Sequence, residues 1–222
     1  ELQSFKEAID RMVKGSKLTL NELVTRTFTE GFSVTAAFGP WAASPDGVAL
    51  FSASHVIKKT GGLYSNLIPA GSFLSATTLE TAIQSYKTGI YTPNGYRIKA
   101  PEIFDLIVPR ALETAARKIL NSGGDQAGVY AGTGSNANLL NVFSFEGSKV
   151  RLTVLDMIGE VGMDGSIIGG ANADKMWFLM NKEYALDYKS FRIFRLWDNE
   201  ITMFKNDETD SLFTKISCHF GV

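Results

Sequence analysis

The sequence predicts an α+β fold, because helical and strand patterns occur in separate parts of the chain. Between Ser75 and Asn121, one helical pattern is followed by the short apolar run Phe104–Val108 and then by a second helical pattern. That run is too short for a helix and too continuous for a half-exposed strand, so it predicts an interior strand. Residues 192–220 are rich in β-branched and aromatic side chains around a polar turn, which predicts further strands.

The first helix of the central stretch is predicted to begin near Ser75 or Thr77 and to end at Gly89. Thr77 and Glu80 have the spacing of a capping box. Gly89 tolerates the left-handed conformation that is common at helix ends. The apolar residues of this helix recur at intervals of three and four and therefore share one face: Leu79, Ala82, Ile83 and Tyr86.

The second helix is predicted to follow the interior strand directly. Pro109 suits its first turn, where a missing N–H costs little, and the sequence Asn-Ser-Gly-Gly from Asn121 is expected to end it. Glu113 lies early in this helix and Lys118 lies late, an order that suits the helix dipole. Its predicted apolar stripe consists of Leu112, Ala115, Ala116 and Ile119.

The N-terminal residues are predicted to be helical as well. Residues 1–14 have an amphipathic pattern, which Gly15 and Ser16 interrupt. The apolar positions from Leu18 to Phe32 leave two alternatives, namely one long helix or a second helix with its own cap. Thr19 and Asn21 are able to cap a restart, and the residues expected to end helical structure are Gly31, Gly39 and Pro40.

The remaining chain is predicted to consist of short strands between loops. Loops are expected where glycine and small polar residues are frequent, at residues 52–72, 122–138 and 159–174. Asn141–Phe145 and Val150–Leu155 are predicted to pair as a hairpin. The other predicted elements are strands at Val48–Phe51, Met176–Met180, Arg192–Leu196, Ile201–Lys205 and Leu212–Phe220, and a short helix beginning in Tyr184–Leu186.

The composition excludes several classes of protein. A chain of 222 residues that is 45% hydrophobic and 20% charged has ordinary values for a globular protein with a core. A net charge of −1 provides no overall field that would attract nucleic acid or an anionic membrane. Cys218 is the only cysteine, which argues against a disulfide framework and a cysteine metal site. The sequence contains no signal-peptide pattern and no bilayer-spanning apolar run, so we expect a soluble protein in a reducing compartment, without a membrane partner.

Gly132–Ala137 matches the loose dinucleotide-binding pattern GxGxxG/A. That pattern requires a strand before it, a helix after it and an acidic residue farther along the chain, for which Asp156 has nearly the right spacing. The preceding strand would comprise only Val129–Ala131, and strands rather than a helix are predicted to follow. A flexible loop is therefore the preferred interpretation, and no cofactor is expected.

Ser52, Ser54 and His55 place two hydroxyl groups beside an imidazole. A nucleophile and its base are paired by the geometry of the fold, not by adjacency in the sequence, and the G-x-S-x-G motif is absent from the sequence. His219 is the only other histidine, which leaves too few ligands for a histidine metal site. We therefore expect His55 to be buried and hydrogen-bonded rather than catalytic.

The remaining charged groups favour structural roles. Asp156, Asp164 and Asp174 lie in predicted loops and have the chemistry to bind a cation, but solvated carboxylates are the preferred interpretation because the calcium-loop spacing is absent. The basic clusters Lys58–Lys59 and Arg192/Arg195 are expected to be surface charge, with contact to a partner subunit or to packaged nucleic acid as the functional alternative. No catalytic, cofactor-binding or metal-binding residue is assigned, and an assembly protein rather than an enzyme is expected.

Three segments, in this order along the chain, resemble a known family. Asp46–His55 reads DG-x-ALF-x-x-x-H, Pro101–Pro109 contains the predicted interior strand, and Trp177–Leu179 lies in the later one. Together they resemble the major capsid proteins of tailed phages that have the Hong Kong 97 fold, over most of residues 20–222. Further resembling residues are Leu23, Val24, Phe28, Gly61, Gly62, Ser65, Asn66, Leu74, Ser75, Leu79, Glu80, Leu112, Ala115, Ile119 and Leu120.

The resemblance implies two domains within the α+β class. Residues 1–70 and 187–222 would form a peripheral domain with a long spine helix and a β-hairpin. Residues 71–186 would form an axial domain of helices around a small central sheet, with the loops 122–138 and 159–174 near the capsomer axis. The chain opens inside a helical pattern at Glu1 and has no counterpart of the family's N-terminal arm and extended loop, so a fragment is expected.

The same resemblance implies a structural subunit of an icosahedral phage or prophage capsid. Its copies would assemble into hexamers and pentamers around a DNA genome, with scaffold, portal or decoration proteins as further partners. Assembly would take place in the bacterial host cytoplasm, and the protein would then reside in the virion. The alternatives are an encapsulin-like compartment shell and, more remotely, a nucleotide-binding or serine-dependent enzyme.

Overall fold

A computed structural model describes residues 2–35, 44, 46–68, 72–92, 94–121, 149–181, 183, 194–206 and 211–221. Within these ranges helices and strands are both present, which is consistent with the predicted α+β class. The elements in chain order are α1 (Leu2–Thr29), β1 (His55–Val56), β2 (Leu63–Tyr64), α2 (Ala76–Gly89), β3 (Ile103–Pro109), α3 (Glu113–Asn121), β4 (Lys149–Leu155), β5 (Phe178–Met180), β6 (Phe194–Asn206) and β7 (Ser211–Gly221).

The helix α1 is a single helix of 28 residues, which decides between the two alternatives for the N-terminal region. The predicted interruption at Gly15 and Ser16 does not occur, since both residues are helical; the Ser16 hydroxyl donates a hydrogen bond of 2.9 Å to the Val13 carbonyl within the same helix. The helix ends at Thr29 and the chain turns at Gly31, close to the predicted stop. Gly39 and Pro40 lie outside the described residues.

Gly15 and Gly31 have opposite environments, so the same substitution is expected to have opposite effects. A Cβ atom at Gly15 would meet nothing within 4 Å, and Gly15→Ala should stabilise α1 by about 0.8–1 kcal/mol. A Cβ atom at Gly31 would lie 2.7 Å from the Thr27 carbonyl oxygen, so Gly31→Ala should destabilise the fold. Urea unfolding of the two variants measures both effects, and a shift of the same sign in both would contradict this account.

Three strands form a mixed sheet in the order β4–β3–β5. The central strand β3 pairs in parallel with β4 over its whole length and antiparallel with β5. Every residue from Phe104 to Pro109 is buried, which confirms the predicted interior strand. The second predicted interior strand, Met176–Met180, is observed as the three-residue strand β5 and lies at the edge of the sheet.

The two faces of the sheet are covered by different helices. Alternation along β3 directs Phe104, Leu106 and Val108 to one face, and this face packs against α2 and α3. The apolar stripes predicted for these two helices contribute to this core through Leu79, Ala82, Ile83, Tyr86, Leu112, Ala116 and Ile119. On the opposite face, Ile107 and Phe178 pack with Phe28 of α1 and with Phe51. The sheet therefore lies between α1 on one side and α2 and α3 on the other.

The helix α2 begins with the predicted cap but with a different partner. Ser75 is the N-cap residue, and its hydroxyl accepts the Thr78 N–H at 3.2 Å while the Ser75 N–H donates to Thr78 Oγ1 at 2.9 Å. The predicted pairing of Thr77 with Glu80 is wrong, because the capping box consists of Ser75 at the N-cap and Thr78 at position N3. The helix ends at Gly89, but Ile90 follows in an extended conformation and Gly89 is not left-handed.

Several β elements differ from the predictions. Val48–Phe51 forms bends with a single bridge residue rather than a strand, and the Phe51 N–H donates to the Gly31 carbonyl in the turn after α1. The two strands predicted at Arg192–Leu196 and Ile201–Lys205 are one strand, β6, whose pairing with β7 is irregular between Arg195 and Glu200. The prediction of Leu212–Phe220 as a strand is confirmed by β7.

Other predictions fall partly or wholly outside the described residues. The predicted hairpin is seen only as β4, whose described partner is β3 in parallel, while Asn141–Phe145 is outside the described ranges. The loop 122–138 and the helix start at Tyr184–Leu186 also lie outside them. The division into residues 1–70 with 187–222 and residues 71–186 stays a prediction.

Candidate functional site

Arg26 is the centre of a charged cluster on the C-terminal half of α1. Its side chain is only 3% exposed and donates to Glu22 Oε1 at 2.8 Å and to Glu30 Oε1 at 2.9 Å. It also donates to Asp164, which comes from the loop 159–174. Burial by itself would lower the pKa of Arg26, but the carboxylates of these partners raise it, so the guanidinium stays charged.

The loop 159–174 has contacts within itself and is bound to α1 by hydrogen bonds and an ion pair. Val161 and Ile167 form an antiparallel bridge, and Gly170–Asn172 forms a short 3-10 helix, within a segment that is otherwise turns and bends, as predicted for a loop. The Met163 N–H donates to both carboxylate oxygens of Glu22 at 3.1 Å. A Cβ atom on Gly162 would overlap the Arg26 guanidinium and the Glu22 carboxylate, so a larger residue at this position would have to displace these charged groups.

Asp164 has protein partners in place of the cation considered in the sequence. The Ser166 backbone N–H and hydroxyl lower the pKa of the Asp164 carboxyl, and Arg26 contributes to the same effect. Asp156 and Asp174 are exposed elsewhere in the same region. In the part of the chain that the structure describes, no group of three or more histidine, cysteine, aspartate or glutamate side chains is arranged to hold a metal ion.

The sequence reasoning missed this cluster, although part of its signal is local. Glu22, Arg26 and Glu30 follow one another at intervals of four, the spacing at which opposite charges meet on a helix. The same spacing usually indicates an exposed face, and here the loop buries it. Asp164 lies 138 positions from Arg26 in the sequence, so its contribution was not visible in any local pattern.

His55 is buried and hydrogen-bonded, as predicted. Its side chain is 4% exposed, with Nδ1 2.9 Å from Asp46 Oδ2 and Nε2 3.2 Å from the Leu50 carbonyl oxygen. Both ring nitrogens therefore face oxygen atoms of the same segment, a carboxylate oxygen and a backbone carbonyl oxygen. The Ser52 and Ser54 hydroxyls lie 3.1 Å from each other, and the His55 nitrogens face Asp46 and Leu50 instead.

The Asp46 carboxylate accepts several hydrogen bonds that connect the two ends of the segment Asp46–His55. Burial by itself would raise the pKa of the Asp46 carboxyl, but hydrogen bonds from His55, from the Ser44 side chain and from two backbone N–H groups lower the pKa to about 2. The Leu50 carbonyl also accepts from the Asn66 side chain at 2.8 Å. Polar groups therefore hold this segment in place up to His55, where the short strand β1 begins and pairs with β2.

The stability of the fold is expected to depend on Asp46 in acid. A carboxyl whose pKa falls on folding, here from 3.8 to about 2, stabilises the fold above its unfolded pKa and loses this contribution as the pH falls through its folded pKa. The difference corresponds to about 2 kcal/mol. Urea unfolding between pH 5 and 2 should therefore show an acid-dependent loss that Asp46→Asn lacks.

Asp174→Asn is the matched control for this measurement, because it removes an exposed carboxylate from the same fold. Its acid profile should follow that of the wild-type protein. If Asp46→Asn and Asp174→Asn lose stability in parallel as the pH falls, the assigned role of Asp46 is wrong.

Asp105 and Arg151 form a further ion pair, between the strands β3 and β4. They are neighbours in the parallel register of β3 and β4. Arg151 donates to both oxygens of Asp105, with distances of 2.6 and 2.8 Å. Asp105 is buried while Arg151 is half-exposed, so the pair lies at the margin of the sheet face that α1 also contacts. In the sequence, the position of Asp105 inside the apolar run Phe104–Val108 indicates that this carboxylate needs a partner.

The other candidate residues are dispersed. Lys58 and Lys59 are exposed, and the Lys59 ammonium lies 5.5 Å from the centre of the Tyr96 ring. Gly132–Ala137 and Arg192 lie outside the described residues, and Arg195 is described only by its place in β6. Among the helices that the structure describes, none combines the length and the apolar character needed to cross a membrane.

Comparisons with models of protein families, with curated proteins and with solved structures found no match to this chain.

Proposed function

We propose that this chain is a shell subunit with the Hong Kong 97 architecture, and specifically a major capsid protein of a tailed phage or prophage. The observation that carries the proposal is the arrangement of α1 against the small sheet. The last turn of the 28-residue helix α1 packs through Phe28, together with Phe51, on one face of the sheet β4–β3–β5, and two shorter helices pack on the other face. A long hairpin, β6–β7, follows at the end of the chain, with β7 beside α1. These are the parts that the resemblance implies.

The resembling segments also have structural roles that fit this proposal. Phe51, from the segment Asp46–His55, stacks on Phe178 of β5 with ring centres 5.2 Å apart. Phe28 of α1 meets Phe178 edge-on at 5.5 Å. Ile107 of β3 belongs to the same apolar cluster. The residues that carry the resemblance therefore support one common core, as expected if they specify a fold and not an active site.

The buried charged groups described above form their ion pairs with other residues of the same chain. Arg26 connects α1 to the loop 159–174 through Asp164. His55 pairs with Asp46, and Arg151 pairs with Asp105. Such groups stabilise a scaffold, which supports a function exerted by the outer surface. On this proposal the principal partners are copies of the same chain, and the protein belongs to the virion.

The test is the state of association of the purified protein. Size-exclusion chromatography with light scattering, followed by negative-stain microscopy, should reveal ring-shaped capsomers or closed shells whose formation depends on concentration. A protein that remains monomeric at all concentrations would contradict the proposal. Shells that contain an enzyme but no DNA when isolated from their native cell would instead identify the compartment alternative.

A further inference from the structure

Four large apolar side chains are exposed where the loop 159–174 meets α1. We call them the junction patch, and they are Leu18, Val161, Met163 and Ile167. Each is more than half exposed, from 53% for Ile167 to 76% for Met163. Clusters of exposed apolar side chains mark interaction surfaces on soluble proteins, and methionine adapts its shape to a partner more readily than branched residues do.

The contacts within the molecule bring these four residues together. The Thr19 hydroxyl lies 3.3 Å from the Met163 sulfur. Leu18 lies one helical turn before Glu22, which accepts the Met163 N–H, so Leu18 shares the helix face that meets the loop. Val161 and Ile167 are paired across the antiparallel bridge, with Met163 in the turn between them. One patch therefore includes both the helix and the loop.

The patch has a fixed shape because the charged cluster lies directly beneath it. Glu22 accepts the Met163 N–H, and Arg26 holds Asp164, the next residue of the loop. A surface that is already ordered loses less conformational entropy when it binds a partner. The same contacts orient the patch relative to α1, so its apolar and charged parts have a defined arrangement.

The two sides of the patch carry opposite charges. On the α1 side, Lys14 and Lys17 are exposed, and Lys14 lies one helical turn before Leu18. On the loop side, Glu160 is exposed beside Val161. Across the ranges that the structure describes, these three residues take part in no ion pair within the chain. A two-fold axis through the patch would bring the basic side of one copy over the acidic side of the other.

We propose that a second copy of this chain docks on the junction patch. Leu18, Val161, Met163 and Ile167 of the two copies meet at the centre, and Lys14 and Lys17 of each copy face Glu160 of the other. The inference rests on the proposed shell function and deepens it by naming one contact between subunits. Charge complementarity selects a second copy as the occupant, because one surface supplies both signs.

The apolar centre is tested with the double variant Leu18→Ser/Met163→Ser. Sedimentation equilibrium should show self-association weakened about ten-fold or more relative to the wild-type protein. The matched control is Leu63→Ser/Phe73→Ser, which removes two apolar side chains of similar exposure, 64% and 63%, outside the patch. Thermal unfolding should be nearly unchanged in both variants, because all four side chains are largely exposed.

The charged sides are tested by reversal and mixing. Glu160→Lys alone and Lys14→Glu/Lys17→Glu alone should each self-associate more weakly than the wild-type protein, because like charges would then face each other. An equimolar mixture of the two variants should recover association, since each copy again meets the opposite charge. Recovery in the mixture would not occur if the variants simply damaged the fold.

The outcomes separate this inference from the proposed function. If the wild-type protein forms capsomers or shells and the Leu18/Met163 variant forms them equally well, the inference is overturned and the shell function stands. If the variant loses a dimer and the wild-type protein never grows beyond that dimer, the inference stands and the shell function is overturned. A wild-type protein that stays monomeric overturns both.

Discussion

Arg26→Met is expected to destabilise the fold by about 3–5 kcal/mol, because removing one partner of a buried ion pair leaves the other charge without compensation. Glu22 would remain 9% exposed with its principal cationic partner gone. Asp164 would lose the contact that holds the loop 159–174 on α1. Urea unfolding of the purified variant measures the loss, and hydrogen exchange should show reduced protection of residues 159–168.

Arg117→Met is the matched control for this prediction. Arg117 pairs with Glu113 at the same spacing of four residues, but its side chain is 60% exposed. The removal of an exposed pair of this kind changes the free energy of unfolding by about 0.3–0.5 kcal/mol. If the two arginine substitutions change the free energy of unfolding equally, the buried cluster does not stabilise the fold in the way described.

The second large effect is expected at the centre of the sheet. Leu106 lies on β3 with no exposed surface and packs in the core that joins the sheet to α2 and α3. Leu106→Ala should lower the free energy of unfolding by about 2–5 kcal/mol through lost burial and an unfilled cavity. The same measurement on Ile103→Ala, whose side chain is 39% exposed on the same strand, should give a much smaller loss.

Comparable losses for these two variants would mean that the core does not lie where β3 meets the two helices. Urea unfolding gives a valid comparison of the two variants if the dependence of the unfolding free energy on urea concentration is unchanged, because a shift of the midpoint then reports stability alone.

The elements that were predictable from the sequence are those specified by local patterns. The stripes on α2 and α3 and the apolar run of β3 follow from spacing and length alone, and each has the predicted place in the core. His55 was also predictable as a buried residue, and its partner Asp46 is only nine positions away. Local information was sufficient in these cases because each residue's environment is set by its own element.

The remaining features depend on contacts between distant parts of the chain. Val48–Phe51 has the composition of a strand, but the Phe51 N–H is bonded to Gly31. The cap of α2 pairs Ser75 with Thr78, whose hydroxyl lies 3.0 Å from the Ser75 hydroxyl. The spacing of Thr77 and Glu80 in the sequence does not reveal this pairing. The position of the loop 159–174 on α1 is set by Arg26 and Asp164, and no local pattern predicts that pairing.

The parallel pairing of β3 and β4 has a consequence during synthesis on the ribosome. Asp105 and Arg151, which become cross-strand partners, are separated by 46 positions along the chain. At a translation rate of about 5–20 residues per second, the nascent chain carries an unpaired β3 for roughly 2–9 s before β4 is made. Once β3 has left the ribosome, its apolar side chains and open strand edges are accessible to neighbouring nascent chains until β4 also emerges, so we expect chaperone engagement to be strongest in that interval.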